Sequence, residues 1–297
     1  MNAPETVLYD VPGPKARRRA LIGTILAGIA ILGVLALVVK RLNDQGQFSM
    51  ELWGPLIDPS DEQFTVVWRF LWRGLQATLV AASLAILFSL LVGTALGTSR
   101  MMLGKVARVP LIGFIELFRG LPVVITIFYV WQVLPETGID VGPLPGSDGL
   151  WFLVIGLTLY NSVIIAEILR AGVASLPSGQ GEAARAVGMT EGQVMRTVLL
   201  PQAFRTMLPA LISQLVVVLK DTSLAGLLGF YIELLKRANL LASNLDNPLQ
   251  ALFVAGVIYI LINYGLSRLA TWLERRLSRA QGGEAAMQEV EQVVPLT

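Results

Sequence analysis

The chain has 297 residues, of which 54% are apolar and 15% charged, with a formal charge of +2. That is more apolar surface than a soluble domain of this length can bury, so the composition describes an integral membrane protein. With no cysteine and no histidine, disulfides, thiolate or imidazole metal sites, thiol nucleophiles and every Ser-His or Cys-His relay are excluded. So small a charge gives no reason to expect nucleic acid as a partner, and makes the placement of the positive residues the informative quantity.

A hydrocarbon core about 30 Å thick takes about 20 apolar helical residues to cross. Six windows reach or approach that length, at 20–39, 74–98, 111–133, 150–169, 208–230 and 249–272. The expected fold is therefore all-α, a polytopic membrane protein of about six spans. The first window follows Lys15, Arg17, Arg18 and Arg19 and precedes Lys40-Arg41; it is too long for a signal core and reads as an uncleaved anchor. The outer stretch 40–73 shows no periodic pattern throughout, and its end, Trp68 to Arg73, reads as an interfacial anchor. In the second window Ser89, Gly93 and Gly97 recur every four residues, a spacing that lets helix backbones approach closely. Packing within the chain is the favoured reading, and contact with a partner subunit the alternative.

If the N-terminus is cytoplasmic, the inner side carries Lys15, Arg17, Arg18, Arg19, Arg100, Lys105, Arg108, Arg170, Arg185, Arg196, Arg205, Arg275, Arg276 and Arg279, fourteen in all. The outer side carries six, Lys40, Arg41, Arg69, Arg73, Lys236 and Arg237. This bias places both termini and the 171–205 loop inside.

Two pairs, Glu116 with Arg119 and Glu167 with Arg170, lie three residues apart near inner helix ends. Charge inside lipid costs at least about 2.5 kcal/mol per residue, so each must face a partner or water. The readings are cross-pairing of the four between two helices and a gate at the inner mouth of a pathway. Lys220, Asp221, Thr222 and Ser223 lie near the middle of the fifth window and offer both a cation and acceptors; they are a candidate substrate contact.

The 171–205 loop is polar yet patterned. Gly181 is expected to break the chain before a short helix over 182–187, with Glu182 at its positive end. Gly188 permits a turn, and Thr190 to Gln193 fits a capping box opening a second helix that Pro201 bends. Two short helices at an angle would then present Ala183, Ala184, Val187 and Met189 to a partner groove. An interfacial amphipathic hairpin is the other reading.

These residues also carry a resemblance. Ala166 to Gly172, Leu176 to Ala184, Gly188-Met189, Leu200-Pro201-Gln202-Ala203 and Leu208-Pro209 resemble the cytoplasmic signature of permease subunits of bacterial ABC importers, in the polar-amino-acid branch. Glu116 to Pro122 and Lys220 to Leu224 match as well, and the glutamate/aspartate type is nearest. The resemblance covers about 74–275, leaving 1–19 as a cytoplasmic segment, 20–39 as an extra anchor, 40–73 as an extracytoplasmic segment and 276–297 as a polar, loosely ordered cytoplasmic tail.

What the resemblance implies is a subunit of the bacterial cytoplasmic membrane that is not itself an enzyme and carries no cofactor. Its implied partners are ATPase subunits that hold ATP and magnesium, a second permease subunit and an extracytoplasmic amino-acid-binding protein. The implied ATPase docking residues are Glu182, Ala183, Ala184, Val187, Gly188 and Met189. Gly104-Lys105-Val106, the nearest sequence to a phosphate-binding loop, lacks the earlier Gly and the hydroxyl such a loop needs. An ion-coupled secondary transporter and a non-transporting membrane scaffold are the rival classes. The first would need an inverted repeat that the sequence does not show, and the second would leave Lys220-Asp221 unexplained.

Overall fold

The computed structural model describes residues 13–293, with side chains described as far as Trp272. Among the described residues every element is helical. Five helices, or pairs continuous with each other, are long and apolar enough to cross a membrane, and a bent pair makes a sixth.

The first helix, α1 (Pro14–Asp44), has no buried residue. Its side chains have only lipid or another protein to meet. A short helix α2 (Met50–Ile57) follows, and α3 (Phe64–Met102) then begins ten residues before the expected span. The outer stretch is thus folded rather than patternless. Trp53 Nε1 donates to the Gln47 carbonyl and Trp68 Nε1 to that of Leu56. Asn247 Nδ2 donates to the Leu52 carbonyl and Gln250 Nε2 to that of Gln47. Leu56, Val67 and Leu71 pack with Leu234, Leu241 and Ala255, forming an outer layer over the bundle.

The third window is not one straight span. Helix α4 (Lys105–Gly120) and helix α5 (Val123–Val133) meet at 108° across Leu121-Pro122. The cause is local: a residue before proline is driven out of helical geometry, and Leu121 has ψ 142°.

Helix α6 (Asp148–Ser175) is the centre of the bundle. A Cβ placed on Gly93 would stand 2.7 Å from the Ser162 carbonyl, and one on Gly97 would stand 3.1 Å from that of Ala166. The small-residue row therefore lets α3 lie against α6 of the same chain. Residue numbers rise together along that contact, so α3 and α6 run parallel. Two parallel neighbours need an odd number of crossings between them, and only α4 and α5 intervene. The bent pair must cross the membrane once, as a broken span rather than a re-entrant loop.

The fifth span, helix α10 (Leu208–Asp221) continued by helix α11 (Ser223–Leu228), is interrupted at Thr222. It runs antiparallel to α6: Gly172 faces Met207, and Gln214 Nε2 donates to Asn161 Oδ1 at 2.7 Å. Helix α12 (Leu234–Asn244) lies in the outer layer, and helix α13 (Pro248–Val293) returns across the bundle. It remains helical as far as Val293, within the tail expected to be loosely ordered from Arg279 onward.

Candidate functional site

Helix α7 (Ser178–Ala186) begins four residues earlier than the sequence suggests, with Pro177 at its N-cap. Pro177 has the extended geometry of an N-cap, and no acidic residue lies in the first turn. Glu182 is consequently mid-helix, and Gly181 lies buried inside the helix instead of breaking it. Shifting the helix start also changes which face is free. Glu182, Ala183, Val187 and Gly188 are exposed, Val187 by 79%, and Met189 is half-buried. Ala184 is buried, so the expected exposed face loses that residue.

The turn that follows is as expected. Gly188 has φ +89°, in the left-handed region that a β-branched residue strongly resists. Thr190 and Gln193 form the capping box, with the Thr190 backbone N–H donating to Gln193 Oε1 at 2.9 Å. Across the turn Arg185 donates to both oxygens of Glu191, at 2.6 and 3.1 Å. This hydrogen bonding holds the Glu191 carboxyl below its ordinary range and raises the Arg185 guanidinium. A bidentate Arg-carboxylate pair fixes direction as well as distance, and here it spans the turn between the two helices.

The second helix opens as α8 (Glu191–Gln193), passes through a π segment (Val194–Leu199) and continues as α9 (Leu200–Thr206). Pro201 does not simply bend it. Proline has no N–H to give the Thr197 carbonyl, and its ring would press on that carbonyl in α geometry. Widening the turn relieves both problems, and the Gln202 amide side chain donates to the Val198 carbonyl at 2.9 Å. Ala203 packs under Gly172 of α6, so the pair of short helices sits firmly on the end of the bundle.

The charged pairs are arranged differently from the expected cross-pairing. Arg119 donates to Glu116 and Arg170 to Glu167, each at 2.8 Å within its own helix. Glu167 takes a second cation, Arg100 of α3. The link between helices is therefore Arg100 with Glu167; the sequence reading counts Arg100 among the inner cations but not among the pairing residues. Lys220 is exposed, Asp221 and Ser223 are half-buried and Thr222 is buried. The Thr222 and Ser223 hydroxyls donate to the carbonyls of Leu219 and Lys220, back-bonding that suits the helix interruption. Lys220 and Asp221 form no ion pair with any described residue.

Glu233 also escaped notice. Fully buried at the N-cap of α12, its carboxylate accepts from the backbone N–H groups of Leu235 and Lys236, both at 2.8 Å. It also accepts from Tyr259 at 2.6 Å and from Thr78 at 3.4 Å. One side chain thus ties α3, α12 and α13 together. Gly226 of α11 makes room for it, since any Cβ there would collide with the carboxylate and stand 3.0 Å from Lys236 N.

A broken, parallel-packed bundle with two short helices seated on one end describes a class of transport permease. Residues 85–279 match the family of binding-protein-dependent transport system inner membrane components, and the chain belongs to that family. It is 40% identical over 237 residues to the glutamate transport system permease protein GluD of Corynebacterium glutamicum, covering 80% of this chain and 83% of that one. It is 31% identical over 211 residues to the glutamate/aspartate import permease protein GltK of Escherichia coli O6:H1, covering 70% of this chain and 93% of GltK. A solved amino acid ABC transporter with histidines superposes with a TM-score of 0.63 at 28% identity, over 73% of this chain and 98% of that one. The resemblance carried by the motifs is thereby shown, and the chain is a multi-pass membrane permease. Helices α1 and α2 precede the matched range.

Proposed function

We propose that the chain is the permease subunit of an ATP-driven importer that moves a polar amino acid of the glutamate type across a bacterial cytoplasmic membrane by alternating access. The observation that carries the reading is the turn at Gly188, folded onto the bundle yet exposing Glu182, Ala183 and Val187. An exposed knob left uncovered by the other described residues fits a groove on another subunit. Its occupant is an ATPase subunit holding ATP and magnesium. Closure of two such subunits would move the knob, and the bundle would rock between outward and inward states of one bistable assembly.

Exposure of Lys220 supports a second permease subunit. A cation bared on an apolar helix inside the membrane needs water or protein beside it, and a facing permease would enclose that surface as a pathway. Lys220, with Asp221, Thr222 and Ser223, would then meet the carboxylate and ammonium of the substrate, delivered by an extracytoplasmic binding protein. Glu116, Arg119, Glu167 and Arg170, with Arg100, would form the gate at the inner mouth. The deciding experiment is uptake of labelled glutamate by proteoliposomes holding the full assembly, with and without ATP. Uptake driven by an ion gradient alone would overturn the reading.

In those proteoliposomes Lys220→Met is expected to lower uptake by about tenfold or more while ATPase association and thermal stability stay unchanged. Normal uptake would remove this cluster from the substrate site. Orientation is tested by single cysteines, since the chain has none. Ser178, Ser147 and Ser243 are all exposed; labelling from the cytoplasmic side is expected at Ser178, and from outside at Ser147 and Ser243. Ser178 reacting only from outside would invert the topology.

A further inference from the structure

Beneath the docking turn lies a cavity of about 650 Å³, whose lining includes Arg100, Arg108, Arg170, Arg185 and Glu191 together with apolar residues such as Met102, Ile112, Val173 and Met195. The guanidiniums outnumber their carboxylates. Arg100 and Arg170 share Glu167, and Arg185 is matched by Glu191. Arg108 has no carboxylate partner among the described residues. Its Nη2 donates to the Leu103 carbonyl at 2.8 Å, while its Nε is buried without an acceptor. Glu182 also acts on Arg185 through space, so four cations face three carboxylates and leave an excess positive charge that a mobile anion would neutralise. The neighbouring Glu116 and Arg119 neutralise each other and do not change the balance.

We infer that this cavity holds the phosphate of an anionic phospholipid headgroup from the leaflet on the docking-turn side. Its composition is that of a lipid site: guanidiniums for a phosphate, which arginine meets with paired donors, together with apolar side chains for the first methylenes of an acyl chain. Basic pockets between spans on the cytoplasmic side are suited to such headgroups. The site lies between α3, α4 and α6 and the turn carrying Arg185 and Glu191, so a bound headgroup would brace the turn against the bundle. The inference does not require the ATPase reading.

The test titrates the full-length protein in nonionic detergent with short-chain phosphatidylglycerol, matched phosphatidylcholine and inorganic phosphate, reading thermal stability and bound lipid by native mass spectrometry. Saturable stabilisation by phosphatidylglycerol alone is expected. Arg108→Gln should weaken it about five- to tenfold, the scale of one arginine at a charged membrane surface. Arg108→Lys should stay closer to wild type, and Lys15→Gln on α1 should have no effect. Equal stabilisation by phosphatidylcholine, or wild-type affinity in Arg108→Gln, would overturn the site. Equal stabilisation by inorganic phosphate would make free phosphate the ligand and overturn the lipid assignment. Should Arg108→Gln fail to fold, absence of any phosphatidylglycerol preference in the wild-type protein still overturns it.

Discussion

Glu233→Ala is expected to unfold the outer layer at temperatures where the wild-type chain is intact. The substitution strips the acceptor from two backbone N–H groups and from the Tyr259 hydroxyl, all turned toward the buried Glu233 side chain. Each buried donor left unpaired costs about 1–3 kcal/mol, so the total loss should be roughly 3 kcal/mol or more. Glu233→Gln is expected to fall between, because the amide keeps one oxygen but turns N–H groups toward a donor. Gly226→Ala should reproduce much of the loss from the other side, by displacing the carboxylate. Burial raises the Glu233 carboxyl above its ordinary value, despite the hydrogen bonds that favour its charge. The folded state therefore binds this proton more readily than the unfolded chain, whose carboxyl titrates near about 4.3. The stability contributed by Glu233 is greatest below that value and falls as pH rises through the folded one. Comparing thermal unfolding of wild type and Glu233→Gln across acidic to neutral pH reads this directly, as a pH slope present in the first and reduced in the second. Equal stability of Glu233→Ala and wild type would show that α12 is held by packing alone.

Gly188→Val is expected to leave the bundle folded while breaking the proposed link to an ATPase subunit. Valine resists φ +89° at a cost of roughly 1–3 kcal/mol, and the chain relieves it by opening the turn that Arg185 and Glu191 clamp. Losing that much from a docking contact corresponds to about fivefold or more in association, which a pull-down with quantified ATPase checks. Glu182→Lys should act differently. Glu182 is exposed in the middle of α7, so the reversal leaves the turn intact and affects only what meets that surface. Wild-type association and transport by both variants would demote the turn to an ordinary surface hairpin.

Where the sequence was legible, the determinant was local. Gly188, Thr190 and Gln193 specify a turn and a cap within six residues, and that geometry is present. Hydrophobic length found the spans, because lipid thickness acts on each segment separately. Reading failed where a residue answers to something distant or to a competing local rule. The start of α7 was placed at Glu182 because its carboxylate suits a helix N-terminus, whereas the Leu176-Pro177 step had already ended α6 and set the next start. That four-residue error turned Ala184 inward. Leu121-Pro122 was visible in the sequence, but hydropathy alone carried the third window straight through it. Glu233 gave no signal at all: glutamate is not a favoured cap, and its partners Thr78 and Tyr259 stand 155 and 26 residues away in the chain.

In the proposed transport cycle, the π segment at Val194–Leu199 would also determine how displacement travels from the docking turn. A shaft with one surplus residue in a turn acts as a gear with a spare tooth. If the wide turn migrated or closed to ordinary α geometry, everything beyond it would be carried round by about 100° and along by about 1.5 Å, the increments of a single helical residue. A push at Gly188 and a motion of α10 would then be joined through a ratchet with discrete settings rather than through a rigid rod.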